Sequence, residues 1–269
     1  MMENEIKKII DEFAKKNNLM GVIVFDHKDN TLIESSIPVS EKDLDQLDHL
    51  RSFIEDAAEY VESKVEYAIF LGRCGGAVMD PRRKWTIVAL FPMKNLTTMK
   101  ELVEELAEQL KDKIVYPIEG EKYGLEHGLD ESDEDEEEYI EDWGESKKEV
   151  WRIVYETISK NMKVLSMIVF ERRGKPLVNM LPYDVDPDSE ASGWFGALQL
   201  TIDKTFLRDF IGKVETTILL TKGITIVQYA GRTWIVMILF KEGVKLEEVF
   251  YETREIVDKL KPVLDRPQY

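Results

Sequence analysis

The sequence predicts an α/β (α+β) fold built twice. Each of two tandem units runs helix, two strands, helix, three strands, helix, and its five-stranded, mainly antiparallel sheet carries helices on both faces. Three observations predict this. Residues 66–91 and 215–240 align without a gap at an offset of 149, with Glu66/Glu215, Ile69/Ile218, Leu71/Leu220, Val78/Val227, Arg83/Arg232, Trp85/Trp234, Leu90/Leu239 and Phe91/Phe240 identical. An earlier block aligns at an offset of 145, where Gly21–Phe25 falls opposite Ser166–Phe170. Between the halves, eleven of the residues from Asp130 to Glu145 are acidic. The expected division is a first unit over 1–117, an acidic linker over 118–147 and a second unit over 148–269.

Ile6, Ile9, Ile10 and Phe13 have the spacing of one apolar helical face, and the 145 offset sets them against Trp151, Val154, Tyr155 and Ile158 in a helix expected from about Lys148. A hairpin follows in each half, at Gly21–Phe25 with a strand from Thr31, and at Val164–Phe170 with Pro176–Met180. Ser40 and Asp43 form a capping-box start, in which a hydroxyl and an acid satisfy free backbone N–H groups. Leu44, Leu47, Leu50, Phe53, Ile54, Ala57, Ala58 and Val61 then keep a helical stripe wide enough to cover a sheet. Trp194 to Val214 occupies the same place in the second half and is apolar on more than one side, so it is expected to pack on two faces. Three strands and a closing helix complete each unit, with the turns Asp80-Pro-Arg-Arg and Tyr229-Ala-Gly-Arg before the last strand.

Composition narrows the function. The formal charge is −17, but removing the acidic stretch leaves 42 acidic against 36 basic residues, about −6, and nucleic acid and anionic membrane are poor partners for such a surface. No apolar run is long enough to span a bilayer, the first residues do not read as a signal peptide, and a single cysteine, Cys74, permits no internal disulfide. A cytoplasmic protein is expected. The Glu- and Lys-rich composition fits a thermophilic source.

The order αββαβββα, with its long middle helix, resembles the Roadblock family of dynein-light-chain-like domains, which includes bacterial and archaeal regulators of small GTPases. The closest sequence match is Thr221–Phe240, which looks like that family's central hairpin. The resemblance implies pairing through the middle helix and the third strand, here within one chain as a pseudo-dimer with a continuous sheet. Trp194, Phe195, Leu198 and Ile202 would then pack against Leu47, Phe53 and Ile54. It implies a scaffold or regulator of a protein partner, a small Ras-like GTPase being the example the family offers, with no catalytic residue and no cofactor to carry over; further oligomerisation stays open. Longin and profilin domains share related architectures.

Chemical signals are sparse. His27, His49 and His127 lack ligand-spaced partners and read as surface or structural residues. Cys74 lies in a Gly-rich hairpin without a His/Asp partner, and Gly223 replaces it in the other copy. Asp184-Val-Asp-Pro-Asp188 departs from a calcium loop, having Ser189 for the turn glycine and Phe195 for the bidentate acid, and reads as helix capping. Asp133–Glu138 reads as a solvated spacer. Tyr139, Ile140 and Trp143 within the acidic run are the pattern of a docking segment, for the chain's own basic patches or for another protein. Arg83 and Arg232 precede the shared tryptophans, where an arginine either covers the ring or binds a partner carboxylate. The rival readings are a small-molecule sensor with a PAS-, GAF- or profilin-like cleft, and an enzyme using Cys74.

Overall fold

A computed structural model of the chain describes residues 2–27, 30–59, 63–93, 96–114, 144–172, 174–180 and 190–266. The first half comprises α1 (Met2–Asn17), β1 (Gly21–Asp26), β2 (Thr31–Ser35), α2 (Glu41–Glu59), β3 (Val65–Gly72), β4 (Gly75–Asp80), β5 (Trp85–Pro92) and α3 (Leu96–Leu110). The second comprises α4 (Gly144–Lys160), β6 (Val164–Glu171), β7 (Pro176–Met180), α5 (Glu190–Lys204), α6 (Leu207–Ile211), β8 (Val214–Thr221), β9 (Ile224–Ala230), β10 (Trp234–Lys241) and α7 (Leu246–Leu264).

The ten strands of the described residues join one antiparallel sheet in the order β2-β1-β5-β4-β3-β8-β9-β10-β6-β7, five from each half, and the second half mirrors the first about the β3–β8 seam. Alternation along the strands assigns the layers. In β1, Val22 and Val24 enter a core shared with α1, α3, α4 and α7, whereas Ile23 and Phe25 enter a core shared with α2, α5 and α6. Because both faces are covered, strands such as β5 are apolar and buried almost end to end instead of alternating with polar residues. The capping box forms as expected: the Asp43 N–H donates to Ser40 Oγ at 3.3 Å and the Ser40 N–H to Asp43 Oδ2 at 2.9 Å.

Three expectations are corrected. The segment Trp194–Val214 is not one helix, because α5 ends at Lys204 and α6 begins at Leu207. At the break the Thr205 N–H turns to the Ile202 carbonyl, three residues back, and its hydroxyl bonds the same oxygen, which closes the last turn. Gly212, at φ 75°, then turns the chain into β8. Second, α4 begins at Gly144, ahead of the expected start near Lys148. Third, α4 sits one residue out of the expected register. Its buried face is Val150 and Val154 with half-buried Ile158, matching Ile6, Ile10 and Ala14 of α1, while Trp151 and Tyr155 face outward at 50% and 53% exposure. Both stripes have helical spacing, and contact with α7, β6 and β7 selected the aliphatic one.

Candidate protein-interaction platform

The joint between the halves has local two-fold symmetry. On β3 and β8, Ile69 lies opposite Ile218, flanked by Ala68 opposite Leu219 and Phe70 opposite Thr217. Ile69 and Ile218 are repeat counterparts, so the axis passes through this pair. On one face α3 and α7 repeat each other: Met99, Val103, Leu106, Ala107 and Leu110 match Val249, Thr253, Ile256, Val257 and Leu260 in spacing and burial. Thr97 therefore corresponds to Glu247, and the Thr97 N–H donates to Glu247 Oε1 at 3.0 Å. On the other face α2 packs on α5, where Leu47, Leu50, Arg51 and Ile54 repeat as Phe195, Leu198, Gln199 and Ile202 with the same buried pattern.

Of the residues expected in this packing, Leu47, Ile54, Phe195, Leu198 and Ile202 are buried in one apolar cluster. Phe53 is half-buried against that cluster, with the exposed His49 ring edge-on to it at 4.8 Å. The Trp194 side chain lies outside the described residues, as do Tyr139, Ile140, Trp143, His127 and the segment Asp184–Asp188. Arg83 is engaged within its own unit. Its guanidinium lies 5.0 Å from the Trp85 ring centre and donates at 2.6 Å to the Ala107 carbonyl in the last turn of α3, with Glu108 at 3.0 Å. A cation there complements the helix dipole. Arg232 is exposed on its turn, and Trp234 is instead stacked on Tyr229 and donates from Nε1 to Asp265 Oδ1 at 2.7 Å.

Helix α6 crosses the joint and packs on β3, β4 and β5 of the other unit, a contact that local periodicity does not encode. The Cys74 N–H donates to the Ile211 carbonyl at 3.0 Å, and Arg73 pairs with Glu215 at 2.9 Å. Cys74 is thus exposed on a hairpin whose backbone serves the joint. Gly72 permits the approach, since a Cβ there would stand 2.1 Å from the Ile211 oxygen.

Each unit also holds a polar cluster under its middle helix, at matching positions but with the charges rearranged. In the first, buried Arg51 on α2 pairs with Asp48 at 2.9 Å and Glu55 at 2.6 Å, while His27, after β1, bonds through Nε2 to the Thr86 hydroxyl. Burial, and then the nearby Arg51 charge, lowers the His27 pKa to about 4, so the ring is neutral at pH 7. Burial raises the Glu55 carboxyl against the pull of Arg51. In the second unit Arg172 stands where His27 does and pairs at 3.0 Å with Asp203, the counterpart of Glu55. Gln199, the counterpart of Arg51, donates to Asp203 Oδ1 at 3.1 Å and accepts from Gln228 at 2.9 Å. One arginine–carboxylate pairing is kept, with the arginine on the helix in one unit and after the strand in the other. Each arrangement sets an arginine against a carboxylate within bonding distance.

Among the described residues no group of three or more His, Cys, Asp or Glu side chains could hold a metal ion, and no helix is long and apolar enough to cross a membrane. A groove of about 580 Å³ between α4 and α7 is lined by Glu156, Lys160, Lys163, Glu252, Glu255 and Lys259 with Ile153 and Ile256 at its base, a mixed-charge lining.

No family model and no curated protein matches the sequence. Among solved structures the chain is similar to Myxococcus xanthus MglB, with 11% identity, TM-score 0.39, and 50% of this chain and 95% of that one covered. It is similar also to the gliding protein MglB from Thermus thermophilus, with 11% identity, TM-score 0.37, and 45% and 91% covered. A third similar structure is a Roadblock/LC7 domain from Streptomyces avermitilis, with 12% identity, TM-score 0.35, and 43% and 98% covered. Both halves show the αββαβββα order on which the sequence resemblance rests, α6 being added in the second.

Proposed function

We propose that the chain is a non-enzymatic scaffold or regulator whose two units, 1–117 and 148–269, form an intramolecular pseudo-dimer that presents a surface to a protein partner, a small Ras-like GTPase. The observation that carries this reading is the local two-fold axis at Ile69 and Ile218. Strand β3 and helix α2, which would otherwise leave a sheet edge and a helix flank open, are closed by β8 and α5 of the same chain. What remains for a partner is the outer surface of the helices and the two edge strands, β2 and β7. The Roadblock resemblance supplies the class of partner. Residues 118–147 join the units as an acidic linker that tunes access to that surface, and the compartment is the cytoplasm.

The test is affinity capture from the native lysate with the full chain and with a chain lacking 130–145, read by mass spectrometry. Stoichiometric recovery of a small GTPase is expected, and reduced recovery on deletion would assign the linker its tuning role. Repeated capture of nothing by folded protein, together with a thermal shift on adding metabolites, would replace this reading with the small-molecule sensor.

A further inference from the structure

Helix α4 carries an aromatic pair that its own unit does not use. Trp151 and Tyr155, one turn apart, stack with ring centres 5.2 Å apart and planes 7° from parallel, and each is about half exposed. Stacking holds the rings in one arrangement, so a ligand that packs on them loses little side-chain freedom in doing so.

Three cations flank the pair. Lys147, Lys148 and Arg152 are exposed on the same stretch of helix and take no ion-pair partner among the described residues. Two acids on this helix are occupied: Glu149 pairs with Arg266 and Glu156 with Lys160, both at 3.0 Å. The result is a cationic, aromatic stripe on a chain whose formal charge is −17. The corresponding helix α1 has no such stripe. In the structural register, Trp151 and Tyr155 fall on Lys7 and Asp11, and Lys147 and Arg152 on Glu3 and Lys8. A feature confined to one of two equivalent helices is not required for packing this fold.

We infer that this face of α4, through Trp151, Tyr155, Lys147, Lys148 and Arg152, docks an acidic peptide segment of a partner protein bearing an aromatic or large apolar residue. The apolar residue packs on the stacked rings and the acids meet the three cations, aromatic anchors supplying affinity and charge supplying orientation and rate. Because α1 lacks the stripe, one chain takes one such segment despite its two-fold frame. The inference rests on the platform reading only in taking the partner to be a protein.

The test uses a labelled peptide of about a dozen residues, glutamate and aspartate around one tryptophan, titrated into the full chain and followed by fluorescence anisotropy. Binding of one peptide per chain is expected, weakening at least about tenfold in W151S/Y155S, in K148E/R152E, and on replacing the peptide's tryptophan with serine. Far-UV circular dichroism and unchanged melting would show that both variants fold, since all four side chains are exposed. Absence of binding, or binding indifferent to these substitutions, overturns the inference. Binding seen only after residues 130–143 are removed also overturns it, by assigning the face to the chain's own acidic segment. Peptide binding that persists while lysate capture recovers no protein partner would sink the platform reading and leave the site standing.

Discussion

Ile69 and Ile218 lie opposite each other across β3 and β8, each fully buried and each the other's repeat counterpart. In an antiparallel pair the two residues that face each other have side chains in contact on one side of the sheet. I69A and I218A should therefore each lower unfolding stability by roughly 2–4 kcal/mol through lost burial and an unfilled cavity. The double variant should depart from the sum by at least about 0.5 kcal/mol, because both truncations open the same space. Urea unfolding of the four proteins measures this, and strict additivity would contradict the shared contact.

The α6 contact depends on Gly72. Alanine there would bring its Cβ against the Ile211 carbonyl oxygen, a backbone atom that cannot step aside as a flexible side chain would. G72A should cost on the order of 2 kcal/mol or more, since the Cys74 N–H to Ile211 bond goes with it. Gly223 has open space at its Cβ, so G223A is the control and should change stability by less than about 1 kcal/mol. Similar losses in both would remove the steric explanation.

Two arginines at the surface should behave differently. Arg73 pairs with Glu215 across the units, but its side chain is 73% exposed, and a double-mutant cycle on this pair should return no more than about 0.5 kcal/mol, vanishing in high salt. Arg83 is 25% exposed, lies over the Trp85 ring and bonds a helix-end carbonyl. R83A should cost about 1–2 kcal/mol, with less salt dependence than the Arg73 pair because part of it is a bond to a neutral carbonyl. Equal, salt-sensitive effects at the two sites would show that exposure is not what separates them.

His27 sets a pH dependence. Its folded pKa of about 4 lies below the ordinary histidine value near 6.5, so the unfolded chain binds the proton first as pH falls. Its contribution is whole above about pH 6.5 and is lost as pH drops toward 4, on the order of 2 kcal/mol in all. The Glu55 shift, being upward, works in the opposite sense, so the wild type must be compared with H27Q rather than read alone. The stability difference between them should shrink across that window; a constant difference would mean the ring titrates as it does in the unfolded chain.

Much of the fold is legible in local pattern. The 149 offset that pairs Trp85 with Trp234 gives the three-strand blocks, and the capping box at Ser40 and the Leu44–Ala58 stripe give α2, because caps and periodicity act within a few residues of chain. The exchange of arginine between Arg51 and Arg172 is not legible: Arg51 meets Asp48 and Glu55 within its own helix, whereas Arg172 reaches Asp203 only when α5 lies on the sheet. The crossing of α6 onto β3, β4 and β5 is equally silent in the sequence, although the apolar character of the Trp194–Ile211 region signals that it has more than one face to bury.

By itself, then, the sequence determines the order of elements and the strand positions, because these follow from residue identity and spacing over short stretches. Tertiary structure decides which of two apolar stripes α4 buries. Val150, Val154 and Ile158 share one stripe, and Trp151, Val154, Tyr155 and Ile158 make another one residue round the helix, so spacing alone admits both. The aliphatic stripe lies against α7 and the β6–β7 hairpin, leaving the larger rings stacked in solvent. The difference is one of fit between neighbouring surfaces, which exists only once those surfaces have been brought together.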